Sequence, residues 1–314
     1  MVADLRAVLA VTEPWQTILR MFPRWVPSLC FLFTLTFITS ETKNLTHWSR
    51  QQLYDSLANR GMLAESQLQK ILNVPRMGVS PELLAKDCRS AFLNGRRKSG
   101  LYVILPKDSP PMVVYCDLRQ EGGGWTVLQR NTGKNDVFFG PTDWNKYRSG
   151  FGNLAGDHWL GNELIYLLTR HNAFTVRFLL MDALGNEYRA DYSSFRVDSE
   201  DESYALRLGD YFGDAGDAMT IMNETGINDN MRFSTKDQDN DRWSKNCAEE
   251  YGGGWWFDSC GSTHLNSYQN IFWRGLCDQY SPCVSSTIMI KPSRKNCYPV
   301  SFPRPGDLYP NPIM

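Results

Sequence analysis

Histidine is scarce in this sequence, with four among 314 residues, and none stands in a His-Glu-x-x-His arrangement. There is no Gly-x-Ser-x-Gly turn to present a nucleophilic serine either. Neighbouring carboxylates occur at Asp214 and Asp217 and at Glu249 and Glu250, but closeness in sequence does not establish the separation across a sugar that glycoside chemistry needs. These gaps argue against an enzyme. An excess of one charge is also missing: 34 Asp plus Glu face 33 Lys plus Arg, so no net field draws the protein to nucleic acid. No apolar run reaches the roughly 20 residues that cross a bilayer comfortably as a helix. Between residues 41 and 86 the apolar positions Leu53, Leu57, Leu63, Leu68, Ile71 and Leu72 are interrupted by Gly61 and Pro75 before heptads accumulate, which excludes a long coiled coil.

Against these absences stand ten Trp, 14 Tyr, 16 Phe and 24 Gly, the composition of a loop-rich domain in which bulky rings fill space between turns. Leu29 to Ile38 form a short apolar stretch, preceded by Arg20 and Arg24 and followed by Thr39 and Ser40. That order predicts a signal peptide over residues 1–40, cleaved near Ser40, with Met21 as an alternative start and an uncleaved anchor as the competing reading. Export implies an oxidising compartment, where cysteines are used for disulfides. Loss of Cys30 with the signal leaves Cys88, Cys116, Cys247, Cys260, Cys277, Cys283 and Cys297, an odd number that leaves one for a partner. Asn44 and Asn223 begin N-x-Thr sequons, the acceptors of glycosylation in a secreted protein.

Residues 41–86 read as a polar, partly helical linker, 87–294 as the main domain and 295–314 as a proline-rich irregular tail. Within the domain, strands are expected at Leu101 to Leu105, Met112 to Tyr115, Trp125 to Gln129, Phe174 to Leu180 and Thr287 to Ile290. Helices are expected at Asp143 to Ser149 and Asn162 to Arg170, the second with Asn162 as its N-cap. The mixture predicts an α+β fold. GGGW at Gly122 places flexible glycines before a bulky ring, so a bend or bulge is expected before Trp125 enters the core. In KDQDNDRWSKNC, Asp237, Asp239 and Asp241 alternate and offer hard oxygen ligands of the kind calcium prefers. An EF-hand is excluded, because Arg242 stands where it needs glycine and Ala248 where it needs a bidentate glutamate.

Several segments in fixed order carry a resemblance: DCRSAFLNG from Asp87, SGLYVILP from Ser99, VYCD from Val114, GGGWTVLQR from Gly122 and YRSGFGNLAGDHWLGNE from Tyr147. FSTKDQDNDRW from Phe233, NCAEEYGGGWWFDSC from Asn246 and HLN from His264 follow. Over about Asp87 to Pro292 the sequence resembles the fibrinogen C-terminal domain family, which includes fibrinogen chains, angiopoietins and their relatives, ficolins and the ends of tenascins. The resemblance implies a mainly antiparallel sheet with short helices and long loops. It also implies disulfides Cys88 with Cys116 and Cys247 with Cys260. Cys277 and Cys283 lie outside the family's usual pattern, and their spacing permits a local bridge. Cys297 would then remain for a disulfide-linked homodimer.

The same resemblance implies calcium held by the carboxylates of Asp239 and Asp241 and the backbone carbonyls of Trp243 and Lys245, the last replacing a frequent glycine. It implies a ligand site beside the second disulfide, made by Trp255, Trp256, Ser259, Cys260, Gly261 and His264, where the Ser259-Cys260 peptide can be cis. Packing alone is the competing reading of the tryptophans, as a structural hydrogen-bonding role is for His264. Lectin-like members carry histidine where this sequence has Gly261, and the stretch between Asn266 and Ile271 is short for a pocket wall. A receptor or extracellular-protein ligand is therefore expected, ahead of a calcium-supported lectin for acetylated glycans or a matrix or clot-associated structural protein.

Overall fold

Strands fall where apolar and β-branched runs stand between turn residues, and in the computed structural model they assemble edge to edge. The structure describes residues 84–293 except 135–138, 141, 223, 225, 268–270 and 279, together with the isolated positions 63 and 66. The expected signal peptide, nearly all of the linker, the tail with Cys297, and both Asn44 and Asn223 lie outside the described residues.

Ten strands form one antiparallel sheet. Its path runs β1 (Gly100–Ile104), β2 (Met112–Asp117), β3 (Trp125–Asn131), β12 (Cys283–Pro292), β6 (Phe174–Asp182), β7 (Glu187–Val197) and β8 (Leu206–Leu208). The short strands β4 (Phe151–Gly152) and β5 (His158–Trp159) extend from β3, and β9 (Tyr211–Gly213) pairs with β7. A separate pair joins β10 (Thr263–His264) to β11 (Phe272–Trp273). All five expected strands are present. The C-terminal β12 is inserted between β3 and β6, so the last strand of the domain is stitched into the middle of the sheet.

Among the described residues four short helices punctuate the sheet: α1 (Cys88–Leu93), α2 (Trp144–Ser149), α3 (Asn162–Thr169) and α4 (Cys247–Tyr251). Asp143 caps α2, its carboxylate accepting from the Lys146 N–H at 2.8 Å. The expected cap of α3 is not what the structure shows. Gly161 is the N-cap, at φ 105°, and no side chain bonds to the helix start, because a Cβ there would lie 2.8 Å from the backbone nitrogen of Gly150. Asn162 turns inward instead and accepts from Trp159 Nε1 at 3.0 Å.

The two sheet faces differ. Most buried residues form one cluster that includes Cys116, Leu128, Ile288 and Ile290, while Trp125, Val127 and Met289 form a second, small one. Because side chains alternate across a strand, Trp125 does not enter the main core as expected. It lies on the opposite face, under the Arg177 guanidinium at 4.7 Å and the Lys291 ammonium at 4.1 Å from its ring centre. Three disulfides join Cys88 to Cys116, Cys247 to Cys260 and Cys277 to Cys283.

Candidate functional site

The floor of the site is aromatic. Trp256 meets Phe233 edge to face at 5.3 Å and Trp159 at 6.0 Å, and Trp255 meets Trp256 at 5.1 Å. Each indole also satisfies its polar edge: Trp256 Nε1 donates to the Tyr204 carbonyl at 2.8 Å and Trp255 Nε1 to Thr263 Oγ1 at 3.2 Å. Trp255 is 0 % and Trp256 1 % exposed, so the two rings expected on the binding surface are in the core and support that surface from below.

On this floor rests the acidic loop. Ser234 and Trp255 exchange two backbone hydrogen bonds, at 2.9 and 3.1 Å, which pins the start of the loop to the WWF segment. Asn240 Nδ2 donates to the Phe233 carbonyl at 2.7 Å, and Asn246 Nδ2 to that of Thr235 at 3.1 Å. The three alternating aspartates divide their roles. Asp237 accepts from the Trp144 N–H at 2.9 Å and from Thr235 Oγ1 at 2.8 Å, and so anchors α2. Asp239 is exposed and accepts the Asp241 N–H, at 3.2 Å.

Asp241 is the joint between loop and disulfide. Its two oxygens accept the N–H of Trp243 and the N–H of Cys247, each at 2.8 Å. Burial pushes its carboxyl up to about 6, the two N–H groups oppose that, and the negative charge of Asp239 adds to the rise. A half-buried carboxylate beside a second, exposed one is a donor set whose charge a hard cation would relieve. Among the described residues no group of three or more Asp, Glu, His or Cys converges as metal ligands. A cation held here would therefore take the two carboxylates and complete its shell from carbonyl oxygens, such as those of Trp243 and Lys245, and water. The Lys245 ammonium stands 5.5 Å from the centre of the Trp243 ring.

A second tie crosses the site. The Arg242 guanidinium donates through Nε and Nη2 to Asp258, whose other partner is the Ile227 N–H at 3.0 Å; the Arg242 N–H also donates to the Asp258 carbonyl at 2.9 Å. Nothing in the expected site residues signalled this pair. The only sequence signal was an acid two residues before Cys260 and a base one residue after Asp241.

Beyond the disulfide, no cis peptide bond occurs among the described residues, so Ser259-Cys260 is trans. Cys260 instead adopts φ 76° and Gly261 φ 83°, two successive residues in the left-handed region, of which only the glycine does so without strain. A Cβ on Gly261 would lie 2.6 Å from Asn228 Nδ2, so the side chain of Asn228 stands where a histidine would have to leave the backbone. Asn228 is buried, donates to the Trp256 carbonyl at 2.9 Å and accepts from the Ser262 N–H at 3.3 Å. His264 lies in β10, 6 % exposed, its ring 5.0 Å from Phe257, with no partner for Nε2 among the described residues. Burial pulls its pKa down to about 3. Its segment is fixed from the sheet, where Gln129 Nε2 and Asn131 Nδ2 both donate to the Leu265 carbonyl, at 3.1 and 3.2 Å. Ser259 alone among the expected ligand residues is fully exposed.

Residues 84–279 match the family model described as fibrinogen beta and gamma chains, C-terminal globular domain. Similar proteins include a fibrinogen-like protein 1-like protein of Gallus gallus, 43 % identical over 216 residues, covering 68 % of this chain and 75 % of the relative. Techylectin-5A of Tachypleus tridentatus is 38 % identical over 252 residues, covering 75 % and 82 %. The solved fibrinogen-like globe domain of human ANGPTL2 superposes with a TM-score of 0.59 at 34 % identity, over 67 % of this chain and 99 % of that one.

Proposed function

The chain belongs to the fibrinogen C-terminal domain family, and from that premise we propose that it is a secreted, non-enzymatic recognition protein that binds a cell-surface receptor or another extracellular protein. The binding surface is the unit made by the acidic loop and the Cys247–Cys260 disulfide. The observation that carries this reading is the way Asp241 and Arg242 tie the loop to both ends of the disulfide segment. A surface held in one shape pays little ordering entropy on binding. The indoles and His264 are sealed beneath it, so what it presents is the exposed set around Asp239, Arg242, Lys245 and Ser259. That is a contact face for a protein.

Calcium stabilises this face through Asp239 and Asp241. Thermal unfolding of the oxidised protein with calcium and with chelator tests the metal: a ligand bound only to the folded state stabilises it by roughly 2.7 kcal/mol at a hundredfold excess over its dissociation constant, and so raises the midpoint. Equal midpoints would remove calcium from the reading. The partner is tested by saturable binding of the purified protein to cells and to extracellular matrix, and absence of binding to either would remove the protein-ligand assignment. Similarity to a protein named Techylectin-5A favours a second reading, a lectin, for which acetylated glycans are the ligand class we would test. Calcium-dependent retention on acetylated but not deacetylated sugars would replace the first reading with the second.

A further inference from the structure

Charge is divided unevenly along a sequence whose totals cancel. Residues 198–241 hold twelve Asp plus Glu against three Lys plus Arg, whereas residues 84–124 hold seven Lys plus Arg against four Asp plus Glu. The sheet order separates the two stretches. The basic one contains the β1 and β2 edge, and the acidic one begins where β7 leads into β8 at the other edge.

The basic end is built around the turn between β2 and β3. After α1 the backbone runs exposed from Leu93 to Lys98, carrying Arg96, Arg97 and Lys98 in succession. Arg97 folds back to donate to the Phe92 carbonyl at 2.5 Å, its guanidinium 4.3 Å from the centre of the Phe92 ring. Arg89 lies 5.4 Å from the same ring centre and donates to the Gly122 carbonyl at 2.8 Å. Lys291 reaches the Glu121 carbonyl at 3.3 Å, and Arg119 is exposed in the same turn. Cations from three separate segments thus gather about residues 119–124.

The acids nearby have partners other than the exposed cations. Asp117 accepts the N–H of Arg119 and of Gln120, each at 2.9 Å. Asp87 caps α1 through the Ser90 N–H at 2.7 Å. Glu121 pairs with Arg177 at 3.0 Å and Arg189 at 2.6 Å. Among the described residues none of Arg89, Arg96, Arg97, Lys98 and Arg119 forms an ion pair.

We propose that this end of the domain binds a linear sulfated polysaccharide of the glycosaminoglycan class. A small anion would neutralise one cation and leave the rest repelling each other. A polymer with sulfates at regular intervals can engage the 96–98 stretch and the 119–124 turn together, with arginine guanidinium groups giving paired N–H contacts to sulfate oxygens. An anionic membrane is the poorer match, because a single large apolar residue, Leu93, stands exposed within the 93–98 stretch and offers little to insert.

The test is retention of the oxidised full-length protein on immobilised heparin against a salt gradient. Retention is expected at physiological ionic strength. Four ion contacts would weaken binding roughly a hundredfold between 50 and 200 mM salt, by the counterion-release relation for polyanions. The triple variant R96S/K98S/R119S removes exposed side chains that form no ion pair among the described residues, and is expected to keep the melting temperature and elute well before the parent protein. Passage of the parent unretained at physiological salt overturns the proposal without any variant, as does co-elution of the triple variant with the parent. Tighter retention by phosphatidylserine vesicles than by heparin would also overturn it and assign the surface to membranes. None of these cations belongs to the loop or disulfide site, so the outcome is independent of whether that site binds a receptor.

Discussion

Replacing Arg242 with alanine tests whether the loop is held by the buried carboxylate behind it. The Asp258 side chain is 1 % exposed and that of Arg242 38 %. Removal of the guanidinium leaves Asp258 with the Ile227 N–H at 3.0 Å as its remaining side-chain partner. Stranding one member of a fully buried pair costs about 3–5 kcal/mol. Arg242 is more than a third exposed, so water can enter the vacated space, and the expectation falls to about 2–3 kcal/mol. In a domain of roughly 200 residues that lowers the melting temperature by about 4–12 °C. Urea unfolding of the oxidised, calcium-free protein measures it, for Arg242→Ala, Asp258→Asn and the double variant. If the pair holds the loop, Arg242→Ala costs much less once Asp258 is already asparagine. A single-variant cost within about 0.5 kcal/mol, the range of an ordinary surface pair, would refute the reasoning.

Acidification should destabilise the fold through its buried histidines. Burial holds His158 near 4 and His264 near 3, below the unfolded value of about 6.5. Each therefore contributes stability that is present above pH 6.5 and is lost as pH falls, towards 4 for His158 and towards 3 for His264, about 2 kcal/mol per histidine at pH 5; urea midpoints of His264→Phe against pH should lose part of that slope, and an unchanged slope would exclude His264. Gly261→His, which restores the residue of lectin-like members, sets a Cβ 2.6 Å from Asn228 Nδ2 at φ 83° and should cost about 2–3 kcal/mol; a neutral melting temperature would show that Asn228 can withdraw freely. Asp241→Asn removes a charge of the proposed calcium site and also weakens the acceptors of the Trp243 and Cys247 N–H groups, whereas Asp239→Asn touches one such bond. Both should abolish a calcium-dependent rise in melting temperature, and a variant that keeps the rise would remove its carboxylate from the proposed site.

Strands rich in apolar and β-branched residues and bounded by turn residues were legible in the sequence, and those with a polar composition were not. EYRADYSSFRV at Glu187–Val197 is the longest strand yet reads as polar, because its Asp191 is placed against Arg177 of β6, at 2.7 Å. An ion pair across two strands leaves no trace in one strand's periodicity. The cap of α3 was misread for a similar reason. Asn162 has the right chemistry for a cap, but the close approach of Gly150 admits only glycine at the preceding position, and its amide is drawn to Trp159, three residues back in sequence. At the candidate site the residue types were visible and their depth was not. Trp255 and Trp256 stand beside the disulfide in sequence, but Phe233, Trp159 and the β10 segment pack over them and both rings are buried.

That inversion bears on what the surface recognises. Rings buried under a site give it rigidity without chemistry, and recognition then rests on what the backbone displays above them. Here the displayed groups are an aspartate with a spare carboxylate, a lysine, a serine and an arginine whose far side is tied to Asp258. Asp241 accepts the N–H of Cys247 while Arg242 holds Asp258, two residues from Cys260, so adjacent loop residues grip the two sides of one disulfide-closed segment. Any change in charge at Asp241 is felt at Cys247, and any displacement of the 258–261 turn is felt at Arg242. A cation on the loop and a partner on the disulfide face would thus act on the same few backbone groups, which makes them positively coupled if each favours the arrangement seen here.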